Sequence, residues 1–218
     1  MADIPMQPPE NCPLCSGTAL AGYHRDKRRA YLLCSICDLV FVPEQFHLCA
    51  DQEKAEYDFH QNDPLDLGYR GFLNRLAEPL LERLEPQSQG LDFGCGPGPC
   101  LSLMLEEQGH SVALYDLYYA NKPHLLASEY DFVTATEVVE HLANPLFELD
   151  RLWGILRSGG QLAIMTKLVS SPEKFANWHY KSDPTHISFF SVATFEYLGQ
   201  RWGSAPQFIG ADVIIFQK

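Results

Sequence analysis

Residues 91–98 read Leu-Asp-Phe-Gly-Cys-Gly-Pro-Gly, and this stretch decides the fold. Three glycines at alternate positions follow a short apolar run and an acid, which predicts a turn from a strand into a helix. Glycine allows a tight turn at positive φ and lets a ligand lie against the backbone. A pyrophosphate-binding turn has the longer spacing G-x-G-x-x-G, so this stretch favours a ligand whose cationic group Asp92 can attract.

Strand and helix patterns alternate around the glycine turn. Strands are predicted at residues 90–93, 111–115, 130–135 and 161–167, with short ones near Phe208 and at 213–216. Helical spacing covers residues 65–84, where Pro79 predicts a kink or a split, and residues 99–109. Further helices begin at Asn144-Pro145, ending at residues 158–160, and at Ser191. The alternation predicts an α/β fold with a mostly parallel sheet and helices on both faces.

The composition limits the classes of protein to consider. The 218 residues carry a formal net charge of −12, which argues against broad binding to nucleic-acid phosphates. No apolar run is long enough for a membrane span, and the proline-rich residues 1–10 lack an export signal. We therefore expect a disordered N-terminus and a cytoplasmic protein. The basic residues 24–29 predict a solvated hairpin tip, with a phosphate-gripping patch as the alternative.

Four of the seven cysteines have the spacing of a metal site. Cys12 and Cys15 form one C-x2-C pair, and Cys34 and Cys37 form another after 18 intervening residues. Two such pairs can complete a tetrahedron around one zinc ion, so residues 11–43 are predicted to form a zinc ribbon. Two disulfides or a redox dithiol are the alternatives. The other three cysteines are expected to be small packed thiols, namely Cys49, Cys95 and Cys100.

The acidic residues 44–64 are irregular in pattern and predict a linker or a covering segment before the main domain at residues 65–218. Within that domain Asp116 follows Gly94 by 22 residues and ends the second predicted strand. An acid near that spacing can accept hydrogen bonds from both hydroxyls of a ribose. A turn role is the alternative for an aspartate at the end of a strand.

Residues 65–218 resemble the class I S-adenosylmethionine-dependent methyltransferases, in particular the subfamily of the ubiquinone-biosynthesis O-methyltransferases. The resemblance rests on the glycine turn, on Glu-Val-Val-Glu-His at residues 137–141, on Asn144-Pro145 and on Leu-Arg-Ser-Gly-Gly at residues 156–160. It implies a Rossmann-like sheet and S-adenosylmethionine as cofactor. It also implies that Thr136 lines the cofactor pocket and that Arg70 reaches the cofactor's carboxylate. The full set of predicted cofactor residues is Arg70, Asp92, Gly94, Cys95, Gly96, Gly98, Asp116, Leu117, Thr136 and Glu137.

One segment is shorter than the resemblance implies. Only 14 residues separate Asp116 from Asp131, where the family normally has a helix, a third strand and an adenine-binding loop. We therefore expect a trimmed sheet of six or seven strands, and no residue is assigned to the adenine.

The polar, aromatic-rich loop at residues 178–190 is predicted to bind the methyl acceptor. Loops beyond the carboxyl ends of strands hold ligands in open α/β sheets. His186 is a candidate general base oriented by Asp183, and Trp178, Tyr180 and Lys181 are candidate acceptor-binding residues. The alternative is that His186 caps the Ser191 helix and the aromatic side chains only pack.

The acidic motif at residues 137–141 suggests a second kind of site. By the resemblance, Glu137, Glu140 and His141 could hold a divalent cation that polarises the acceptor, which makes His141 a further catalytic candidate. The alternative is that these groups cap the turn and bond to neighbouring loops.

The sequence thus predicts transfer of a methyl group from S-adenosylmethionine to a small molecule. One alternative is a ribosomal or transfer RNA methyltransferase whose zinc ribbon contacts RNA. Another is a protein that binds the cofactor without turning it over. The methylated atom and the oligomeric state are left open.

Overall fold

A computed structural model describes residues 9–59 and 63–218. The predicted disordered start, residues 1–10, therefore lies almost wholly outside the described residues, as do residues 60–62 of the predicted linker.

Three short strands build the N-terminal part of the chain. Strands β1 (Leu20–Arg25), β2 (Ala30–Cys34) and β3 (Val40–Phe41) pair antiparallel in sequence order. We call residues 11–42, which contain these strands and the two cysteine pairs, the cysteine module. A 3-10 turn at Glu44–Phe46 and helix α1 (Ala50–Tyr57) follow it.

The larger part of the chain alternates helices and strands. In order it contains α2 (Leu67–Leu81), β4 (Gln89–Phe93), α3 (Cys100–Glu106), β5 (Ser111–Tyr115), β6 (Tyr130–Thr136), α4 (Pro145–Gly154), β7 (Leu156–Met165), α5 (Pro172–Ala176), β8 (Ser188–Phe189), α6 (Val192–Trp202), β9 (Gln207–Ile209) and β10 (Val213–Gln217).

The central sheet has the strand order β5-β4-β6-β7-β10-β9. Its first four strands are parallel, whereas β10 runs antiparallel to both of its neighbours. Between β5 and β6 the chain forms only a 3-10 turn, Pro123–Ala127. The predicted α/β class and the trimmed sheet are both confirmed, and the sheet has six strands within the described residues.

The core has two layers because consecutive residues of a strand face opposite sides of a sheet. Phe132 of β6 belongs to the apolar cluster formed with α2 and α3, and Val133 belongs to the cluster formed with α4 and α6. Leu14 and Leu39 of the cysteine module are fully buried in the second cluster. The module therefore shares its core with the main sheet.

The loop after β7 is joined to the cysteine module by backbone hydrogen bonds. Strand β8 pairs with β3, which makes a second sheet of order β1-β2-β3-β8. The Val42 amide also donates to the Ile187 carbonyl at 2.8 Å. The sequence predicts a loop here and misses β8, because a strand of two residues is too short to show a periodic pattern.

Helix α2 continues through Pro79, so the helix is not split there, and the predicted kink stays a prediction. The predicted end of α4 is wrong. Residues 158–160 do not end α4 but lie inside β7, where Gly159 has a φ of 82° and the register with β6 shifts. The glycines therefore form an irregularity within a strand.

Among the helices of residues 9–59 and 63–218, none has the length and apolar character that a bilayer span needs.

Candidate active site

The glycine turn joins β4 to α3 at the carboxyl end of the parallel strands. Gly94 and Gly96 have φ values of 77° and 63°, which favour glycine. A Cβ atom on Gly94 would lie 2.3 Å from Cγ2 of Val138, so the turn also packs too closely there for a side chain. Both positions therefore need glycine for conformation, and Gly94 needs it for space as well.

Asp116 closes the turn through its carboxylate. One oxygen accepts a hydrogen bond from the Gly96 amide at 3.0 Å, and the other accepts from the amides of Tyr118 and Tyr119 at 2.8 and 3.0 Å. A carboxylate has about four acceptor positions, and three are used here, so one remains for a ligand's hydroxyl.

Asp92 is buried beneath the turn. Burial raises its pKa to about 6, helped by the Asp116 charge and opposed by the Thr134 hydroxyl, which donates to it at 2.8 Å. The neutral acid is therefore favoured in the folded protein relative to the unfolded chain.

Replacing Asp92 with asparagine is expected to stabilise the fold at neutral pH. An acid whose folded pKa is raised contributes stability at low pH that is lost as the pH rises through the folded value near 6. Asparagine can still accept from Thr134, so the gain in unfolding free energy at pH 7.5 is expected to be about 2 kcal/mol. Urea unfolding at pH 7.5 and pH 4 measures it. An equal difference at both pH values would contradict the titration account.

A cavity of about 770 Å³ opens beside the turn. It is large enough to hold a cofactor together with a small second ligand. Most of the predicted site residues line it: Asp92, Gly94, Cys95, Gly96, Gly98, Asp116, Leu117, Thr136, Glu137, His141, Tyr180, Asp183 and His186.

Thr136 ends strand β6 at this cavity, and Glu137 follows it; both have unsatisfied polar atoms. Thr136 Oγ1 and Glu137 Oε1 are buried without a hydrogen-bond partner. Glu137 also has a φ of 53°, a left-handed conformation that is costly for a non-glycine residue. Burial raises its pKa, whereas the charge of Lys167 opposes the rise. Strain and unsatisfied atoms together are typical of a ligand site.

Glu140 connects the motif to the predicted acceptor loop. Its fully buried carboxylate accepts hydrogen bonds from the Tyr180 hydroxyl and, at 3.0 Å, from the Thr166 hydroxyl. Burial and the charge of Glu137 raise its pKa. The Ile187 amide donates to the Glu140 carbonyl at 2.8 Å. Glu140 therefore holds the loop against the 3-10 turn Val139–His141.

His141 and His186 form a pair at the cavity wall, with ring centroids 4.7 Å apart. Nδ1 of His186 lies 2.7 Å from the Tyr180 carbonyl oxygen, which can only accept, so Nδ1 carries a proton. In the neutral ring Nε2 is then the basic nitrogen, and it lies 3.7 Å from Asp183 Oδ2. Burial by itself raises the pKa of Asp183. The hydrogen bonds from Thr185 and the electrostatic effect of His186 outweigh burial, so the pKa lies below its usual value.

The structure brings two of the three predicted cation ligands together, namely Glu140 and His141. Candidate ligand atoms of Glu140, His141 and His186 lie within 4.8 Å of one another, and Glu137 is outside this group. Both oxygens of Glu140 already accept hydroxyl hydrogen bonds. A cation site at residues 137–141 therefore stays a prediction, and the side chain that lies with Glu140 and His141 is His186 instead of Glu137.

Three predicted site residues do not line the cavity. Arg70 forms an ion pair with Glu107, which follows α3, instead of reaching the cofactor pocket. Trp178 packs among the aromatic rings of Phe175, Tyr180 and Phe189, and Lys181 lies 3.7 Å from Asp26. The loop thus directs the side chain of Trp178 toward α5 and that of Lys181 toward the cysteine module.

Helix α1 brings cavity residues that the sequence did not indicate. Glu53 and Tyr57 line the cavity, and Glu53 accepts hydrogen bonds from the hydroxyls of Tyr57 and Tyr118 at 2.7 Å each. Asp58, just after α1, accepts from the Tyr119 hydroxyl at 2.7 Å. The polar sequence of α1 has no apolar face to reveal this position. Lys167 also lines the cavity and was missed.

The basic residues 24–29 do not form a wholly solvated tip. Arg29 is only 7% exposed, and its guanidinium donates to three carbonyl oxygens of the acceptor loop. The prediction is wrong for Arg29 because an arginine can satisfy its donors on backbone carbonyls inside the protein.

The four cysteines of the two pairs come together. Their sulfur atoms lie within 4.8 Å of one another, with Cys12 to Cys37 at 3.6 Å and Cys15 to Cys34 at 3.4 Å. The amides of Leu14 and Gly17 each donate to a cysteine sulfur at 3.4 Å. Cys95 and Cys100 are buried as expected, but Cys49 is exposed.

Comparisons with known proteins point to the same family as the fold and the motifs of this chain. Residues 65–204 match the family described as "Methyltransferase domain". The ubiquinone biosynthesis O-methyltransferase of Ruegeria sp. (strain TM1040) is 30% identical over 141 residues, which are 64% of this chain and 55% of the relative. The enzyme of that name from Dinoroseobacter shibae (strain DSM 16493 / NCIMB 14021 / DFL 12) is 34% identical over 114 residues, 51% of this chain and 43% of the relative. The chain thus spans about half the length of the curated relatives it matches.

Solved structures share the fold. A 1,6-didemethyltoxoflavin-N1-methyltransferase from Burkholderia thailandensis, bound to 1,6-didemethyltoxoflavin and S-adenosylhomocysteine, aligns with a TM-score of 0.52 and 16% identity over 90% of this chain and 98% of that one. A SAM-dependent methyltransferase from Archaeoglobus fulgidus aligns with a TM-score of 0.55 and 18% identity over 68% of this chain and 94% of that one.

The family match covers more than half of the chain and includes the glycine turn, the motif at residues 137–141 and the loop that carries His186. The chain belongs to the methyltransferase-domain family and has the fold of the class I S-adenosylmethionine-dependent methyltransferases.

Proposed function

We propose that the protein transfers the methyl group of S-adenosylmethionine to a small-molecule acceptor. One observation carries the proposal: a single cavity joins the glycine turn to the His141–His186 pair. A donor on the turn and an acceptor beside the histidines would therefore meet in the same enclosed space.

The residues of the cavity fit S-adenosylmethionine. The unsatisfied atoms of Thr136 and Glu137 offer hydrogen bonds to a ligand, and Asp116 retains one acceptor position for a ribose hydroxyl. The carboxyl of Asp92 beneath the turn suits the cationic end of the ligand. When bound, S-adenosylmethionine supplies a sulfonium methyl group that is already a reactive electrophile.

His186 is proposed as the general base for the acceptor. As the acceptor's oxygen, nitrogen or carbon forms its bond to the methyl carbon, the carbon–sulfur bond breaks and its electron pair stays on sulfur. Nε2 of His186 takes the proton that the acceptor loses, and Asp183 stabilises the cation that forms. Much of the rate is expected to come from holding the reactants in line.

Two observations support a small acceptor over RNA. The chain carries a formal charge of −12, and Arg29 in the basic stretch is bonded to carbonyl oxygens inside the protein. The curated relatives are named O-methyltransferases, which supports an acceptor with a hydroxyl group.

A structural zinc ion in the cysteine module is part of the proposal. Four cysteine sulfurs within 4.8 Å of one another fit tetrahedral thiolate coordination, and N–H donors to sulfur favour the thiolate. Zinc bound there would tie the two cysteine pairs together and stabilise the module.

Calorimetric titration with S-adenosylhomocysteine tests the cofactor, and transfer of a labelled methyl group to 3,4-dihydroxybenzoate tests the chemistry. Wild-type protein is expected to bind, and His186→Ala is expected to bind equally well but to lose about 10²–10⁴-fold in kcat. His124→Ala, at an exposed histidine, is the control. Absence of measurable affinity for S-adenosylhomocysteine would overturn the proposal. Binding without transfer to any small hydroxyl compound would favour a cofactor-binding protein.

A further inference from the structure

Arg29 lies in the turn of the β1–β2 hairpin, in a basic stretch that the proposed function does not use. Its side chain is directed inward and is 7% exposed. The neighbouring Lys27 and Arg28 are exposed. A buried arginine needs partners for all of its donors, and those partners show what the residue holds.

The guanidinium of Arg29 binds the backbone of the acceptor loop at three points. Nη2 donates to the carbonyl oxygens of Lys181 and Asp183 at 2.7 Å each, and Nη1 donates to the Pro184 carbonyl at 2.9 Å. Nε donates to the Tyr31 hydroxyl at 3.0 Å. The exposed Arg28 adds one contact, from Nη1 to the Ser182 carbonyl at 3.3 Å. The buried planar fork of Arg29 makes the other three, and it is therefore the main hold on the path of residues 181–184.

The hydroxyl of Tyr31 links the positive charge of Arg29 to the carboxylate of Asp26. The Tyr31 hydroxyl donates to Asp26 Oδ2 at 2.8 Å, and Asp26 Oδ1 accepts from the amides of Arg28 and Arg29 at 2.8 and 3.0 Å. Lys181 of the loop lies 3.7 Å from Asp26. Hydrogen bonds and charge pairing therefore connect the hairpin to the loop.

The loop segment that Arg29 holds contains one support of His186, Asp183, and directly follows the other, Tyr180. Nδ1 of His186 donates to the Tyr180 carbonyl, and Nε2 faces the Asp183 carboxylate. Both of these partners lie beside the carbonyl groups that Arg29 binds. Movement of residues 181–184 would therefore displace the groups that orient the imidazole.

We propose that Arg29 is a positioning residue that fixes Asp183 and His186 at the cavity wall through the backbone of residues 181–184. The inference rests on the proposed function for its catalytic meaning. Lysine cannot replace this arginine, because one ammonium group cannot reach three separated carbonyls in the geometry of a planar fork.

Histidine side-chain NMR of the full-length, zinc-loaded protein tests the positioning without an acceptor. In wild type the Nδ1 proton of His186 is expected to be protected from exchange. Arg29→Ala and Arg29→Lys are expected to lose that protection, and millimolar guanidinium is expected to restore it in Arg29→Ala. Lys27→Ala removes a charge from the same turn and is the matched control. Zinc content and thermal unfolding check that each variant is folded.

If both arginine variants fail to fold, the guanidinium protons of Arg29 are measured in wild type, where slow exchange is expected and fast averaged exchange would overturn the proposal. In folded variants, an unchanged His186 signal would overturn it. With 3,4-dihydroxybenzoate as acceptor, Arg29→Lys is expected to lose about 10–100-fold in kcat with little change in KM for S-adenosylmethionine. Failure of wild type to bind S-adenosylhomocysteine would count against the proposed function alone, since the NMR result stands separately.

Discussion

Replacing Gly94 with alanine is expected to weaken the binding of S-adenosylhomocysteine by about 10–100-fold. Two effects combine at this position. An L-residue at a φ of 77° is strained by roughly 1–2 kcal/mol, and the new Cβ would lie 2.3 Å from Val138. Val138 follows Glu137 directly, so relief of the clash moves the end of β6 away from the glycine turn. Calorimetric titration of the variant measures the loss.

Gly109→Ala separates strain from geometry. Gly109 has a φ of 89°, but a Cβ there would meet nothing within 4 Å. Gly109→Ala is expected to lose about 1–2 kcal/mol of stability from strain alone and Gly94→Ala more, whereas only Gly94→Ala should lose affinity. Equal loss of affinity in the two variants would show that Val138 does not transmit the change to the site.

Loss of zinc from the cysteine module is expected to lower the melting temperature by about 10 °C or more. The effect should extend beyond the module, because Leu14 and Leu39 share a buried cluster with the main sheet. Cys34→Ser, which removes one of the four thiolates, is expected to behave like the chelated protein. Metal analysis for one zinc per chain, with thermal unfolding before and after chelation, measures it.

Cys49→Ser is the matched control for the zinc experiment. Cys49 is exposed at the start of α1, outside the group of four. This variant should keep its zinc and its melting temperature. Protein that contains no metal and whose unfolding is indifferent to chelator would rule out the structural zinc site.

The fold could be predicted from the sequence because its signals are local. The glycine turn, the alternating strand and helix patterns and the Ser191 cap each depend on a few neighbouring residues. Ser191 accepts from the Thr194 amide at 3.1 Å and begins α6 as predicted. The spacing between Asp116 and Asp131 is too short for the additional strand that the family normally has there, and the six-stranded sheet agrees with that spacing.

The errors concern contacts between distant parts of the chain. Arg29 reads as a surface charge because its carbonyl partners lie about 150 residues away in sequence and have no side-chain signature. Helix α1 shows no apolar face, since it meets the cavity through hydroxyl and carboxylate groups. Arg70 follows a motif position but pairs with Glu107, a partner that spacing alone cannot reveal.

The β3–β8 pairing has a consequence for how the molecule is assembled. Three of the four strands of the second sheet are present once residue 41 has been synthesised, but the last strand arrives only with residues 188 and 189. Contacts between such distant segments slow folding, since a long chain must close before they form. The N-terminal module is therefore expected to mature late, after most of the polypeptide exists. Although its cysteine pattern looks modular, the N-terminal module is not expected to fold when it is moved to another protein, and its deletion is expected to disturb the rest of the chain.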